Sequence, residues 1–294
     1  MISSPCIGRC QIDDQLNLCS GCARSGAEIA TWREATPEFR RQVWAALPER
    51  RKKLGLNLHR LDWDREALRA FIAESLRPGG TWTAGVPGAL AKFCISPGEP
   101  CEIEAKADSI RAFTARGAIA FDLSDHIRAF SIQSDAGRDL IVLATPRGRA
   151  RSFLAAGLAQ IGPDRDAIRA HDSGEILYDF GLNRASSGFG VRTASLRLIA
   201  RLDGVAGLDW RQFLPLIGDE LQEVSPTRVV RHSIGRIEVF TTIPPPDGAS
   251  SEGPHTHFLP AFLAEEREAP APIDLPEAYI ACAIYHPPRP DGNP

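Results

Sequence analysis

Methionine is almost absent from this 294-residue chain: the single one stands at position 1, so the core is filled without the flexible thioether. Long apolar runs are missing as well. No stretch of about 18 hydrophobic residues occurs, which argues against a membrane-spanning helix. No basic segment at the N-terminus leads into an apolar one, so a secretory signal is not expected. A reducing, cytoplasmic setting follows as the expectation. There, clustered cysteines bind metal more often than they pair as disulfides.

Nucleotide and hydrolase signatures are also missing. Gly79-Gly80, Gly85-Val86-Pro87-Gly88 and Ser186 to Gly190 lack a P-loop Lys-Ser/Thr and a strand–GxGxxG–helix setting. No G-x-S-x-G elbow is present. Strong charge of either sign is lacking, with a net −3 overall. The first 60 residues hold ten basic and six acidic residues, a net +4 that leaves −7 for the remainder. The basic excess gathers at Arg50, Arg51, Lys52 and Lys53, where cations favour the negative end of a helix. A slightly acidic chain of this kind does not suggest a nucleic-acid binder.

The segment 24–53 reads as two helical pieces. Thr36-Pro37-Glu38 supplies a cap with proline at the first helical position, and Phe39, Val43, Trp44 and Leu47 form an apolar stripe. Pro48 is expected to kink or end that helix, or to open a further turn. Trp32 and Trp44 read as a small core. Residues 55–60 look like a linker, and a capped amphipathic helix follows over 65–77. Strands are expected at 89–95, 127–134 and 139–145, the last two joined by a turn at Asp135-Ala136-Gly137. A helix is expected over 149–161, closed by Gly162-Pro163. Short strands at 176–181 and 190–193, helices at 194–202 and 210–222, and a hairpin of 228–232 with 236–243 complete the reading. Strand pairs alternating with helices indicate an α+β fold: a small four-cysteine module with helices at 1–54, then a larger α+β domain at 62–287 with a mostly antiparallel sheet.

Of seven cysteines, four lie within 17 residues, as Cys6-x3-Cys10-x8-Cys19-x2-Cys22. Four thiolates complete a tetrahedral shell and suit Zn²⁺ or an iron–sulfur centre equally. Gly21 lets the backbone turn so that amide N–H groups can face sulfur. A metal centre also accounts for the folding of some 50 residues with little apolar material. Cys94, Cys101 and Cys282 are scattered and read as small buried hydrophobes.

Ser4-Pro5-Cys6-Ile7-Gly8-Arg9-Cys10, Leu18-Cys19-Ser20-Gly21-Cys22-Ala23-Arg24, Glu28-Ile29-Ala30-Thr31-Trp32 and the closing Leu47-Pro48-Glu49-Arg50 resemble the small bacterial family labelled "predicted Fe–S protein". The resemblance covers about residues 3–53, with Ser25-Gly26 as a departure in the cap. It implies an iron–sulfur cluster on Cys6, Cys10, Cys19 and Cys22. The remainder resembles an uncharacterised bacterial domain found alone or behind such a module, and that resemblance implies no activity.

A second candidate metal or phosphate site is Gly253-Pro254-His255-Thr256-His257. In an extended segment His255 and His257 point to one side, with His286, Glu252, Glu265 and Glu266 nearby in sequence. The alternative is that both imidazoles bond backbone in a proline-rich loop. Asp122, Asp125 and His126 can be read as part of an acid–base site, although a helix-capping or turn role suits Asp125 better.

Three functions compete. The first is a non-catalytic four-cysteine metal-binding module serving a domain that binds a small ligand or a protein. The second is electron transfer or redox sensing through an iron–sulfur cluster. The third is an enzyme built on His255 and His257. A closed thiolate shell without a catalytic constellation favours the first.

Overall fold

The structure, a computed structural model, describes residues 3–288 except 87, 134–138, 154, 171–173, 183–185, 245–252 and 259–272. A short ribbon of β1 (Ile12–Asp13) and β2 (Leu18–Cys19) precedes α1 (Gly26–Thr31) and α2 (Pro37–Leu54). Ser25 and Glu28 form a capping box on α1, and Thr36 accepts the Phe39 amide at the start of α2. Next come β3 (Leu58–Arg60), α3 (Arg65–Ser75), β4 (Thr81–Val86), β5 (Ala89–Cys94), β6 (Glu102–Ala105), β7 (Ser109–Phe113) and β8 (Gly117–Asp122). The chain continues through β9 (Arg128–Gln133), β10 (Asp139–Pro146), β11 (Ala159–Pro163), β12 (Ile176–Asp179) and β13 (Ser187–Thr193). Helices α4 (Leu196–Gly204) and α5 (Trp210–Val224) lead to β14 (Thr227–His232), β15 (Gly235–Val239), β16 (His255–Phe258) and β17 (Tyr279–His286).

Two antiparallel sheets carry the larger part of the molecule. One runs β16-β5-β4-β17-β10-β9-β3 and the other β11-β12-β13-β14-β15-β8-β7-β6. Their inner faces share one core, with Trp82 of the first against Phe121 of the second at 4.7 Å between ring centroids. Leu68 and Ile72 of α3, Leu198 and Leu202 of α4, and Phe213 and Ile217 of α5 close the same core. The fold is therefore α+β with antiparallel sheets, a small N-terminal module followed by a larger sheet-rich part. Among the described residues, no helix is long and apolar enough to cross a membrane.

The outer face of the seven-stranded sheet positions both candidate sites. Arg60, Phe130, Val142, Ile284, Thr83, Lys92 and His255 stand opposite one another from strand to strand. That row spans six strand spacings, about 29 Å. Near its Arg60 end, Ile7 from the cysteine loop is buried against Phe130, Val142 and Ala144. His255 ends the row on the edge strand.

Several sequence expectations are corrected. Residues 55–60 are no simple linker: Gly55, at φ +64°, caps α2, and Leu58–Arg60 pairs with β9 as an edge strand. Helix α2 runs through Pro48 to Leu54, because buried Val43, Leu47 and Arg51 hold both sides of the proline in one helix. The helix expected at 149–161 does not form; a single 3₁₀ turn at Arg147–Arg149 gives way to β11, which contains Gly162 and Pro163. The turn at Asp135-Ala136-Gly137 lies outside the described residues, although β9 and β10 pair as expected. Strands β4, β6, β7 and β8 were not anticipated. In β8 the run Gly-Ala-Ile-Ala-Phe is buried on both faces and carries no alternation to read.

Candidate metal centre

The four cysteines meet at the ribbon and the loops on either side of it. Cys6 Sγ and Cys10 Sγ lie 3.9 Å apart, close to the edge of about 3.8 Å of a tetrahedron with metal–sulfur distances of about 2.3 Å. Cys19 and Cys22 are buried and hydrogen-bonded to each other. The charges of Cys6, Cys19 and Cys22 all raise the Cys10 pKa, Cys6 most strongly, so the thiols share one neighbourhood. They stand as two pairs and not as a closed shell. Among the described residues, no three Cys, His, Asp or Glu side chains gather closely enough to enclose an ion.

What surrounds the sulfurs is built for negative charge. Burial alone would raise the Cys19 pKa, but donation from the Gly21, Cys22 and Gln11 amides and from the Cys22 thiol brings it below the usual thiol value. The Gly8 amide donates to Cys6 Sγ at 3.3 Å, and Arg24 Nε to Cys22 Sγ at 3.4 Å. Burial raises Cys22 against that Arg24 contact. Three buried arginines stand around the group: Arg24, Arg51 and Arg60, at 3%, 8% and 7% exposure. Burial lowers the Arg51 pKa to about 10, opposed by Cys22, while Arg60 is lowered by burial and by Arg128, opposed by Tyr279, Asp62 and, least, Cys6. Among the described residues, the Nε atoms of Arg51 and Arg60 have no hydrogen-bond partner. A guanidinium out of water needs an anion nearby, and four thiolates on a divalent cation carry two net negative charges. The donor chemistry thus fits a thiolate-bound metal.

The module's own core is small. Ala23, Val43 and Leu47 are buried, with Trp32, Trp44, Leu54 and Leu56 packed against them, so the two tryptophans are core residues as expected. Arg24 stacks 4.8 Å over Trp32 and Arg51 5.6 Å over Trp44. Arg50 forms a two-pronged pair with Glu28 at 2.7 and 3.0 Å. Half of the basic run Arg50–Lys53 is therefore committed inside the module.

Gly21 sits where a Cβ would lie 2.1 Å from the Arg9 carbonyl oxygen, which also accepts the Cys19 thiol at 3.4 Å. Gly21→Ala should push the Cys10 loop away from the Cys19–Cys22 loop and weaken metal retention by about 10- to 100-fold. Competition against a chelator measures it, and unchanged retention would refute the packing argument.

The second candidate lies on the outer face, at the edge of the seven-stranded sheet. His255 and His257 point to the same side of β16, with Nε2 atoms 3.0 Å apart and rings at 83°. His255 Nδ1 lies 2.6 Å from the Gly253 carbonyl oxygen. Burial and the Lys92 charge lower the His257 pKa to about 4, and burial lowers that of His255. His286 is not brought to the pair; three strands away, it bonds the Thr83 hydroxyl at 3.1 Å. Glu252, Glu265 and Glu266 lie outside the described residues. Asp125 pairs with Arg65 at 2.9 Å and Asp122 with Arg151 at 3.7 Å. Cys282 is buried, whereas Cys94 and Cys101 are half-buried.

A model described as a family of unknown function (DUF6925) matches residues 67–293. The chain belongs to the DUF6925 family. A second model, described as a protein of unknown function (DUF1289), matches residues 4–51 and spans all four cysteines. Comparison with curated proteins and with solved structures finds no match. The two matches describe a small N-terminal module joined to a DUF6925 domain that takes in α3, both sheets apart from β3, and the His255–His257 pair. The arginines ringing the thiols were not recognised from sequence, because Arg51 in the last turn of α2 and Arg60 in β3 occupy places where a basic residue is ordinary, and Arg24 lies just before α1 with no pattern to mark it.

Proposed function

We propose that residues 1–54 form a non-catalytic metal-binding module in which Cys6, Cys10, Cys19 and Cys22 hold one metal centre, and that it serves a ligand- or protein-binding domain at 62–287. The observation that carries this reading is the set of buried arginines, Arg24, Arg51 and Arg60, gathered around amide-solvated sulfurs. Four cysteine ligands leave no open coordination position, so a structural role follows more directly than Lewis-acid catalysis. Burial of Ile7 against Phe130 and Val142 ties the cysteine loop to the sheet. The module then serves to hold its own helices and to fix them on the domain.

The Cys6–Cys10 separation of 3.9 Å fits two thiolates on one metal atom, and Zn²⁺ held by all four cysteines is the first reading. An iron–sulfur centre for electron transfer or redox sensing is the second reading, supported by the N–H and guanidinium donors that tune such clusters. Protein purified without oxygen and subjected to elemental and absorption analysis separates them. About one zinc per chain in a colourless preparation is the expected result. Brown protein with iron and sulfide establishes the redox reading instead. Metal-free folded protein with four freely titrating thiols overturns both.

A further inference from the structure

The His255–His257 pair carries an inference of its own, independent of the cysteines. In β16 the two side chains are two residues apart and so emerge on one side of the strand. His255 opposes Lys92 and His257 opposes Leu90 on β5. A carbonyl oxygen only accepts, so His255 Nδ1, 2.6 Å from Gly253 O, carries a proton, and in the neutral ring Nε2 bears the lone pair. Metal-binding imidazoles are typically oriented in this way by a backbone carbonyl.

That carbonyl is itself held in place. Gly253 has φ +81°, and a Cβ there would come within 2.5 Å of Arg116 Cζ. Arg116 is fixed by Glu99 at 3.0 and 2.8 Å and by Ser96 at 2.6 Å. The support behind His255 thus reaches through backbone to a partly buried ion pair, and it needs no ligand to explain it.

Two imidazole nitrogens at about 2.0–2.1 Å from one ion are about 2.9 Å apart at a right angle and about 3.4 Å apart in a tetrahedron. The observed 3.0 Å falls in that interval. The geometry points to an open divalent-cation site on His255 Nε2 and His257 Nε2, suited to Zn²⁺ or Ni²⁺, whose remaining positions take water or an anionic co-ligand. Imidazole favours these borderline ions over Mg²⁺ or Ca²⁺. Lys92, directly across the ladder from His255, opposes a bare cation and favours a carboxylate- or phosphate-bearing co-ligand beside it. His286 is not a third ligand, since three strand spacings, about 14 Å, separate its strand from β16.

The competing arrangement is a plain N–H···N bond, His257 donating to His255. One substitution separates the two. His257→Gln keeps an N–H for His255 and removes the imidazole, so it preserves the bond and discards the metal site. The test is a Zn²⁺ and Ni²⁺ titration of the full chain with its cysteines already loaded, followed by calorimetry. Wild type should take up one further equivalent. His255→Ala and His257→Gln should each weaken that equivalent at least about tenfold, while Lys92→Met should strengthen it. The cysteine-bound metal should stay unchanged in all three, because the sites lie at opposite ends of the sheet. Absence of a second equivalent in wild type, or equal affinity in folded His257→Gln, overturns the site. If His255→Ala does not fold, His257→Gln and Lys92→Met decide it.

Discussion

Cys19→Ser should empty the metal centre and unfold the first fifty residues while the two sheets keep their structure. Cys19 is fully buried, its sulfur accepts the Gly21, Cys22 and Gln11 amides, and its own backbone is locked between Arg24 and Ala23 at 2.7 Å on each side. Serine matches the shape but is a far weaker ligand for a thiophilic ion. The consequence is large because the module has little else to fold on. Apart from Ile7, which packs on the sheet, its buried aliphatic residues are Ala23, Val43 and Leu47, a core too small to offset the ordering of some fifty residues. Structural zinc sites supply about 10–16 kcal/mol of apparent binding energy, and in such small domains that energy is folding energy. Emptying the site also leaves Arg24, Arg51 and Arg60 buried without the thiolate charge. Metal content should fall from about one per chain to near zero. Hydrogen exchange should show Pro37–Leu54 losing its protection while Thr81–Val86, inside the double-sheet core, keeps its own. A Cys19→Ser protein with full metal content, or with α2 as protected as in wild type, would refute the module reading.

What was legible in the sequence was local. The cysteine spacing, the Ser25 and Thr36 caps, the amphipathic stripe on α3 and the two-residue period of His255 and His257 are all written within a few residues of where they act. What was not legible depends on partners far along the chain. Residues 149–161 have helix-like composition, yet Gly157 is pressed against other backbone: a Cβ there would lie 2.7 Å from the Gly207 and Leu208 carbonyl oxygens. The Leu158 amide donates to Leu208 at 2.9 Å and its carbonyl accepts from Gly207 at 2.7 Å, so tertiary contact overrides propensity. Arg51 is similar. It reads as a helix-end cation, but its side chain turns inward over Trp44 toward Cys22. The pairing of the two candidate sites on one sheet face also required the register of seven strands.

Arg192→Met should lower the stability of the sheet domain by about 3–5 kcal/mol, the usual cost of removing one partner from a buried ion pair. Arg192 has no exposed side-chain surface; its guanidinium meets Asp164 at 3.1 Å, Glu175 at 2.8 Å, Glu238 at 3.0 Å and the Arg169 carbonyl at 2.6 Å. Arg236 completes the network on Asp164 and on Glu238 at 2.9 Å. Methionine fills much of the volume but returns no charge, so the carboxylates of β15 and the 164–175 segment share one guanidinium where they had two. In a domain of this size the loss corresponds to a drop of roughly 6–20 °C in Tm. Arg65→Ala, which breaks only the exposed pair with Asp125, should change stability by less than about 1 kcal/mol. Acid provides a second readout. Burial would raise the Asp164 pKa, but hydrogen bonds from Arg236 and Arg192 outweigh it and hold the carboxyl below its usual value. A depressed folded pKa contributes stability that is fully present above the unfolded value of about 3.9 and is lost as pH falls through the folded one. The gap between wild type and Arg192→Met in urea melts should therefore be largest near neutrality and narrow below about pH 4, once Asp164 takes a proton in both proteins. Equal midpoints at pH 7 would refute the stabilising role, and a gap that does not shrink in acid would show that Arg192 acts through packing and not through its charge.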